Sequence, residues 1–122
     1  MSGAARTIWL SLRLATGTGI AIGPGKADLL AAVAANGSIA AAARSMGMSY
    51  KKAWYLLDTM NRCFREPVVT TEKGGRGQGG ARLTPLGQRA LDLYRAIAAR
   101  ATAAAAGDID ALAALLADDS QL

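Results

Sequence analysis

Two short helical patterns on either side of Gly47 constrain the fold of this 122-residue chain more than any other feature. The first pattern follows Ser38, which can cap it by accepting a backbone N–H bond, and it is mostly alanine up to Met46, so a second helix can cross it closely. Gly47 can adopt the left-handed backbone conformation that a tight turn requires. Ser49 can then cap a second helix by accepting a backbone N–H bond. Residues 38–65 therefore predict a helix-turn-helix.

The second helix of this motif divides into a buried stripe and a polar face. Four apolar residues fall on the stripe: Ala53, Leu57, Met60 and Phe64. The opposite side carries Lys51, Tyr55, Asp58 and Arg62, with Lys52 and Thr59 at its edge. Glu66-Pro67 predicts the end of this helix, because the residue before a proline disfavours helical backbone.

The segments before the motif predict a hairpin and one helix. Residues 7–14 predict a strand and residues 20–22 a short return strand, with a turn at Thr16 to Gly19, so the hairpin covers 7–22. Gly23-Pro24 predicts the start of a helix, because proline suits the first helical position. Its core residues are Leu29, Leu30 and Val33, and Asn36-Gly37 predicts its end.

The segments after the motif predict a second hairpin and a long helix. Val68 to Thr71 and Ala81 to Leu83 predict strands around a glycine-rich loop, giving a hairpin over 68–84. Thr84-Pro85 predicts the start of a helix over 85–106, a dimerisation helix whose apolar stripe is Leu86, Ala90, Leu93, Ile97 and Ala101. Gly107 predicts its end, and residues 107–122 predict an acidic tail or a short helix.

This order of elements predicts the fold class. The fold is mainly α with small β content (α+β): a winged helix-turn-helix with an N-terminal β-hairpin and a long C-terminal helix. The 68–84 hairpin is the wing. Residues 1–106 are expected to form one domain, because a chain of this length can bury an ordinary core without disulfides.

The net charge of +5 is concentrated around the predicted motif. Eight basic and three acidic residues lie between Arg44 and Arg82, whereas six of each lie outside that stretch. Clustered positive charge is typical of proteins that bind polyanions, and charge placed only for solubility would be scattered. The pattern predicts that double-stranded DNA is the partner and that the second helix enters its major groove.

The candidate DNA-binding residues carry positive charge or hydroxyl groups that can bond phosphates and base edges. They are Ser38, Arg44, Ser49, Tyr50, Lys51, Lys52, Tyr55, Arg62, Lys73, Arg76 and Arg82. Tyr50 fits packing at the edge of the core as well as it fits a DNA contact. For Trp54 the pattern favours a structural position. Asp58 either pairs with Lys51 or Arg62 or shapes base preference.

Enzymatic chemistry and metal binding find no support in the sequence. The chain has no histidine, its acids are single or lie in the acidic tail, and no Cys/His cluster has zinc-ligand spacing. We therefore expect a protein that is not an enzyme and has no cofactor or metal. The single Cys63, beside Phe64, favours a buried thiol in a reducing compartment. No apolar segment has the length of a membrane span, and no secretion-signal pattern is present, so we expect no membrane partner and a cytoplasmic location.

The glycine-rich loop from Lys73 to Gly80 allows a second interpretation. Such loops can cradle phosphate through backbone N–H groups. This loop lacks the spacing of a nucleotide-binding loop and precedes a strand, not a helix. We therefore expect a wing tip that lies against DNA and places Lys73, Arg76 and Arg82 near phosphates. A small-oxyanion sensor built on the same loop is an alternative.

Three patterns together resemble the N-terminal domain of the ModE-type molybdate-responsive regulators. They are Gly-Ser-Ile-x-Ala-Ala-Ala-Arg over 37–44, Met-Ser-Tyr-Lys-x-Ala-Trp over 48–54 and Leu-Thr-Pro-x-Gly over 83–87. The resemblance covers roughly Ala27 to Tyr94, and it includes the glycine-rich wing. It implies a winged-helix fold, operator binding and a homodimer, with recognition by Ser49, Tyr50, Lys51 and Lys52 and a wing at 73–82.

One departure from that family changes the expectation. Full-length members carry C-terminal oxyanion-binding domains that sense molybdate, whereas this chain ends after its final helix. We therefore expect a sequence-specific, homodimeric transcriptional regulator without its own molybdate-binding domain, acting alone or with a separate effector or sensor protein. The alternative from another class is a winged-helix protein-interaction module that does not bind DNA.

Overall fold

The computed structural model describes residues 7–73 and 79–117, and within them it confirms the predicted mainly helical fold with two small hairpins. The elements in order are β1 (Leu14–Thr16), β2 (Gly19–Ile22), α1 (Pro24–Asn36), α2 (Ile39–Ser45), α3 (Tyr50–Cys63), β3 (Val69–Glu72), β4 (Gly80–Leu83), α4 (Pro85–Ala104) and α5 (Ala106–Ala113). Strands β1 and β2 form one antiparallel pair, and β3 and β4 form another. The second pair is the wing.

The core lies where α1, α2 and α3 meet the base of the wing. Its largest fully buried side chains are Leu29, Leu30, Val33, Met60, Val68 and Leu91. Ala43 of α2 and Ala53 of α3 are also buried, so the two helices of the motif approach each other through small residues. The predicted stripe of α3 is confirmed, because Ala53, Leu57 and Met60 are buried and Phe64 packs against them.

Side-chain caps begin three of the helices, as the sequence predicts. The hydroxyl oxygens of Ser38, Ser49 and Thr84 accept backbone N–H bonds three residues ahead, at 3.0, 3.1 and 2.9 Å. Each cap satisfies an N–H group that has no partner inside its own helix. Gly47 has a φ of +66°, which confirms the predicted left-handed turn between α2 and α3.

Two hydrogen-bonded contacts fix the wing to the helix-turn-helix. The Ala81 N–H of β4 donates to the Gly37 carbonyl, between α1 and α2, at 2.8 Å. On the other strand side, the Asn61 side-chain carbonyl accepts the N–H groups of Val68 at 2.8 Å and Val69 at 3.3 Å. The wing therefore has a defined position relative to α3, although its two strands have only four residues each.

The Leu-Thr-Pro-x-Gly segment joins the wing to α4 through a close backbone contact. The Thr84 hydroxyl donates to the Pro67 carbonyl at 2.7 Å, and the Thr84 N–H donates to the Val68 carbonyl at 3.0 Å. Gly87 lies directly against the same peptide group. A Cβ atom at Gly87 would lie 2.0 Å from the Val68 carbonyl oxygen. The glycine is therefore required by space.

The N-terminal hairpin is shorter than predicted. The prediction of a strand over residues 7–14 is wrong for 7–13, because β1 begins only at Leu14. Strand β2 offers four residues before Gly23 leads into α1, so it cannot pair with a longer strand. The preceding segment is attached differently: the Tyr94 hydroxyl of α4 donates to the Leu12 carbonyl at 2.8 Å.

The buried face of α4 also differs from the predicted stripe. Leu93 and Ile97 are 45% and 41% exposed, whereas Gly87, Leu91 and Tyr94 are buried. The contact of Gly87 with the wing sets which face of α4 meets the core, and this rotates the stripe away from Leu93 and Ile97. A glycine adds almost nothing to an apolar pattern, so the pattern alone does not reveal this face.

The C-terminal region stays helical beyond the predicted break. Helix α4 ends at Ala104, before the predicted break, and Gly107 lies inside α5, so the prediction that Gly107 ends the helix is wrong, whereas α5 agrees with the short helix that the sequence left open as an alternative to a tail. One glycine costs about 1 kcal/mol in a helix, and Asp108 in the first turn of α5 offsets part of that cost through the helix dipole. No residue of α5 is buried, and residues 118–122 lie outside the described part of the chain.

Substitution of Gly87 by alanine tests the close contact. We expect Gly87→Ala to lower the free energy of unfolding by about 3 kcal/mol, because the added methyl group overlaps the Val68 peptide. Gly25→Ala is the matched control. A Cβ at Gly25 meets nothing within 4 Å, and alanine in a helix should stabilise by about 0.5 kcal/mol. Urea unfolding measures both, and equal stability of the two variants would contradict the contact.

Candidate nucleic-acid interface

The exposed face of α3 forms a ridge of four residues, Lys51, Tyr55, Asp58 and Arg62, which we call the α3 ridge. Tyr55 is 59% exposed, and Lys51 is also exposed. No acid in the described residues lies within ion-pair distance of Lys51. The N-terminal half of the ridge therefore presents positive charge and a phenol hydroxyl to solvent, as the sequence predicts.

A groove of about 870 Å³ runs between α2, α3 and the wing, and we call it the wing groove. Its polar and aromatic lining residues are Ser38, Arg44, Tyr50, Trp54, Thr71, Glu72 and Lys73, and Glu72 is paired with Arg82. These residues come from the N-terminal cap of α2, from α2 itself, from two turns of α3 and from the wing, and only the tertiary fold brings them together. The groove unites the predicted residues Ser38, Arg44, Tyr50 and Lys73 on one side of the α3 ridge.

A second cleft of about 640 Å³ lies on the other side of α3, against β2 and the start of α1, and we call it the hairpin cleft. The predicted residues Lys52 and Tyr55 line it. Cys63 lines it too and is only partly buried, so the prediction of a buried thiol is wrong. Cys63 stands in the last turn of α3, where the helix leaves the core.

The aromatic side chains of α3 are more exposed than the sequence indicates. Tyr50 is 55% exposed, which removes the alternative that it packs into the core. Trp54 is 50% exposed and lies outside the core cluster, so the prediction of a structural position is wrong. Both residues point from the same side of α3 into the wing groove, one turn apart. The wing forms the other side of this groove, so the sequence of α3 alone does not show that Tyr50 and Trp54 project into a groove.

Two of the predicted DNA-binding arginines have acidic partners. Arg62 forms an ion pair with Asp58, four residues before it, with its Nε 3.1 Å from the Asp58 carboxylate. The hydrogen bond and the charge of Asp58 raise the pKa of Arg62 above its usual value. Arg82 of β4 pairs with Glu72 of β3 at 3.1 Å. Asp58 therefore pairs with Arg62 and not with Lys51, which decides between these two predicted partners.

The two serines among the predicted DNA-binding residues both cap helices. Ser38 and Ser49 each accept a backbone N–H bond as helix caps, so their oxygen lone pairs are partly occupied. Their hydroxyl protons can still be donated to a phosphate or a base. Arg76 lies outside the described residues.

Asn61 is a positioning residue to which the sequence analysis assigned no role. Its side chain holds Val68 and Val69 at the start of the wing and thereby sets the width of the wing groove. The only signal in the sequence is a polar residue beside the buried stripe of α3, which is common on any helix. Its function depends on a contact seven residues away.

The described residues hold no group of three or more Asp, Glu or Cys side chains that could bind a metal ion. In the same part of the chain, every helix is too short or too polar to cross a membrane. The chemistry that these residues offer is the binding of an anion surface by cations, hydroxyls and half-exposed aromatic rings.

Comparison with known proteins agrees with this geometry. Residues 26–88 match the bacterial regulatory helix-turn-helix proteins of the lysR family. The molybdenum-pterin-binding protein MopB of Rhodobacter capsulatus is 48% identical over 82 residues, which are 67% of this chain and 30% of MopB. The molybdenum transport protein ModE of Azotobacter vinelandii is 42% identical over 86 residues, 70% of this chain and 32% of that protein.

A third relative carries the regulatory description. The DNA-binding transcriptional dual regulator ModE of Escherichia coli (strain K12) is 41% identical over 75 residues, 62% of this chain and 29% of that regulator. The chain thus spans about 30% of the length of the curated relatives that it matches. The matched part contains the helix-turn-helix and the ModE-type patterns, so the resemblance seen in the sequence is confirmed.

The ion pair within the α3 ridge generates a prediction about DNA. Asp58→Asn releases Arg62 and removes a negative charge from the ridge, so we expect roughly fivefold tighter binding of random-sequence duplex DNA at low salt. The slope of log affinity against log salt should become steeper by about 1 for each bound subunit. Asp92→Asn on α4 is the matched control, since the Asp92 carboxylate also bonds a side chain at four-residue spacing, that of Gln88. Fluorescence anisotropy titrations measure both variants, and an equal gain in both would show only a net-charge effect.

Proposed function

The chain belongs to the bacterial regulatory helix-turn-helix proteins of the lysR family, and on that premise we propose that it is a sequence-specific transcriptional regulator that binds double-stranded DNA as a homodimer. The observation that carries the proposal is the basic start of the α3 ridge between two open grooves. It acts as a regulator and not as an enzyme, like the transcriptional regulators among its relatives.

Helix α3 has the dimensions and chemistry of a recognition helix. It is 14 residues long, and its exposed half fits a major groove about 12 Å wide. Recognition helices contact base edges with their N-terminal residues. Lys51 and Tyr55 stand in that part of the ridge and offer an ammonium and a phenol hydroxyl. We assign base reading to these two residues together with Tyr50.

The wing groove supplies contacts to one DNA backbone. Arg44 and Lys73 place positive charge on its two opposite walls, and Ser38 adds a hydroxyl proton. Phosphate contacts of this kind give affinity and orientation without reading sequence. The Arg62 and Arg82 pairs lower the local excess charge, so we expect these two arginines to contribute less than Lys51 or Arg44.

An apolar surface on the last two helices supports the homodimer. Leu93 and Ile97 of α4 are exposed on one face, one helical turn apart, and Leu112 of α5 is exposed as well. Exposed apolar patches on a small domain favour association. A two-fold dimer would present two α3 helices to half-sites about one DNA turn, or a multiple of it, apart.

The names of the relatives mention molybdenum, and we extend the proposal to molybdenum only as a subject of gene regulation. The domain matched here is the DNA-binding part that those proteins share with this chain. We propose that the genes it controls concern molybdenum handling and that a separate effector or sensor protein is among its partners.

One observation favours a second candidate function. Tyr50 and Trp54 are half exposed in a groove of about 870 Å³, which also suits a peptide from another protein. A protein-docking module would not need Lys51 at the start of the ridge, where no acid among the described residues lies within ion-pair distance of it. DNA binding across a salt series separates the two functions directly.

The double variant Lys51→Ala, Lys52→Ala tests the proposed DNA surface. We expect the affinity for duplex DNA to fall at least tenfold near 100 mM salt and the salt slope to decrease by about 2 for each subunit of the bound dimer, because each subunit loses two phosphate- or base-bonding cations. Arg95→Ala with Arg100→Ala on α4 removes the same charge elsewhere and should leave the slope unchanged.

The same measurement on the unmodified protein decides between the candidate functions. Selection from random duplexes should enrich a two-fold symmetric site, and binding should weaken steeply with salt. Salt-sensitive binding without an enriched site would contradict sequence-specific regulation. No binding at low salt would contradict DNA binding altogether and support the protein-docking module.

The apolar face of α4 gives a separate prediction about assembly. We expect Leu93→Gln with Ile97→Gln to convert a dimer into a monomer in sedimentation equilibrium while the fold persists, because both side chains are already exposed in the monomer. Leu115→Gln is the control, since Leu115 is also exposed but lies beyond α5. An unchanged dimer in the α4 variant would place the interface elsewhere.

A further inference from the structure

The hairpin cleft has a charge composition that the proposed recognition surface does not use. Arg13, Lys26 and Lys52 line it from three separate places: the segment before β1, the first turn of α1 and the first turn of α3. None of the described residues that line the cleft is acidic. The first turn of α1 also has no acid, so no described lining group offsets the three positive charges.

Two of these cations are held in place by local contacts. The Lys26 ammonium donates to the Ile20 carbonyl of β2 at 2.6 Å, and an ammonium group retains two further protons for another acceptor. The stem of Arg13 crosses Gly23, because a Cβ atom there would lie 3.2 Å from the Arg13 Cγ. Both residues therefore line the cleft from the side of β2 and α1, and Lys52 lines it from α3.

The cleft and the wing groove lie on opposite flanks of α3. Tyr50 and Trp54 face the wing groove, whereas Lys52, Tyr55 and Thr59 face the hairpin cleft. A helix in the major groove has one phosphate backbone on each side, because the two DNA strands form the two borders of that groove. A recognition surface with a basic wing groove on one flank requires a place for the other strand on the second flank.

We propose that the hairpin cleft binds the phosphodiester backbone of the second DNA strand, with Arg13 and Lys26 as phosphate-binding residues outside the helix-turn-helix. Lys52 is the third cation of the cleft and binds the DNA backbone. Base reading is then left to Lys51 and its neighbours. The N-terminal hairpin, with the start of α1, then acts as a second clamp that faces the wing across α3. This inference rests on the proposed DNA-binding function.

The ligand chemistry is that of a tetrahedral oxyanion, and two sources can supply it. A DNA phosphate is favoured because Lys52 belongs to the same helical turn as Lys51 on the α3 ridge. A free oxyanion such as sulfate or molybdate would satisfy the same three cations. The experiment therefore needs one arm for each source.

The first arm measures the salt dependence of DNA binding by Arg13→Gln, Lys26→Gln. Glutamine at position 26 keeps a donor for the Ile20 carbonyl, so the hairpin should retain its place. We expect the slope of log affinity against log salt to decrease by about 2 for each subunit of the bound dimer, with the order of preferred sequences unchanged, because phosphates carry no sequence information. Arg95→Gln with Arg100→Gln is the charge-matched control, and Arg13→Lys with Lys26→Arg should retain the slope of the unmodified protein.

The second arm locates the contact on the DNA. Duplexes with single neutral methylphosphonate linkages should weaken binding of the unmodified protein at positions on both strands that border the recognised major groove. For the Arg13→Gln, Lys26→Gln protein, the sensitive positions on one strand of each half-site should disappear and those on the other strand of that half-site should remain, with the roles of the strands exchanged between the half-sites by the two-fold symmetry. Retained sensitivity on both strands within a half-site would overturn the proposal.

The third arm tests a free oxyanion. Sulfate, phosphate and molybdate are each compared with chloride at constant ionic strength, and thermal unfolding is recorded for the unmodified and variant proteins. An oxyanion-specific rise in Tm that is lost in the variant, together with an unchanged DNA salt slope, would overturn the assignment to DNA phosphate.

The outcomes separate this inference from the proposed function. An unmodified protein that fails to bind DNA at low salt overturns both. An unmodified protein with a steep salt slope, next to a folded Arg13→Gln, Lys26→Gln variant with the same slope, overturns the hairpin cleft alone.

Discussion

The backbone contact between the start of α4 and the peptide group of Val68 determines how the rest of the surface is arranged. A side chain at Gly87 would separate α4 from the wing, and the same Val68 residue receives the Asn61 side chain on its N–H and the Thr84 N–H on its carbonyl. The backbone of one residue is thus fixed from α3, from the helix that follows the wing and from the connection between the wing and that helix. Because the wing has only short strands, its orientation depends on these anchors at its base. These anchors determine how far the wing stands from α3 and therefore the width of the wing groove. The contact at Val68 also sets the direction in which α4 leaves the domain.

This surface attracts DNA through its positive charges, and two acidic residues reduce its net positive charge. The stretch from Arg44 to Arg82 has an excess of five positive charges, yet Asp58 and Glu72 each neutralise an arginine within it. Exposed ion pairs of this kind contribute little to stability, since solvent screens them. Their effect on DNA binding is larger, because each paired arginine releases fewer counterions from the duplex. A surface with fewer unpaired cations binds non-matching DNA less tightly, and the contribution of the base-reading residues to total affinity becomes greater.

The sequence alone predicted the helix-turn-helix, its caps and the wing, because each depends on residues close together in the chain. Ser38, Ser49 and Thr84 act on the next turn, Gly47 acts on its own backbone, and the stripe of α3 repeats at helical spacing. The errors concern contacts between distant segments. The face of α4 depends on Gly87 meeting Val68, the length of β1 depends on β2, and the exposure of Trp54 depends on the wing. The predicted DNA contacts themselves remain predictions, although the structure brings most of the described ones onto α3 and its two flanks.

The hydroxyl of Tyr94 joins two parts of the molecule that have separate tasks. It donates to the Leu12 carbonyl from the middle of α4, and Arg13, on the wall of the hairpin cleft, is the next residue in the chain. A rotation of α4 about its own axis would therefore pull on the segment that carries Arg13, over a distance of one peptide bond. In a dimer joined through α4, the angle between the two subunits would then be transmitted to the N-terminal clamp by a single phenol hydrogen bond. A signal that alters the angle between the subunits would therefore change the contact of the N-terminal clamp with DNA, while α3 and its base contacts stay in place.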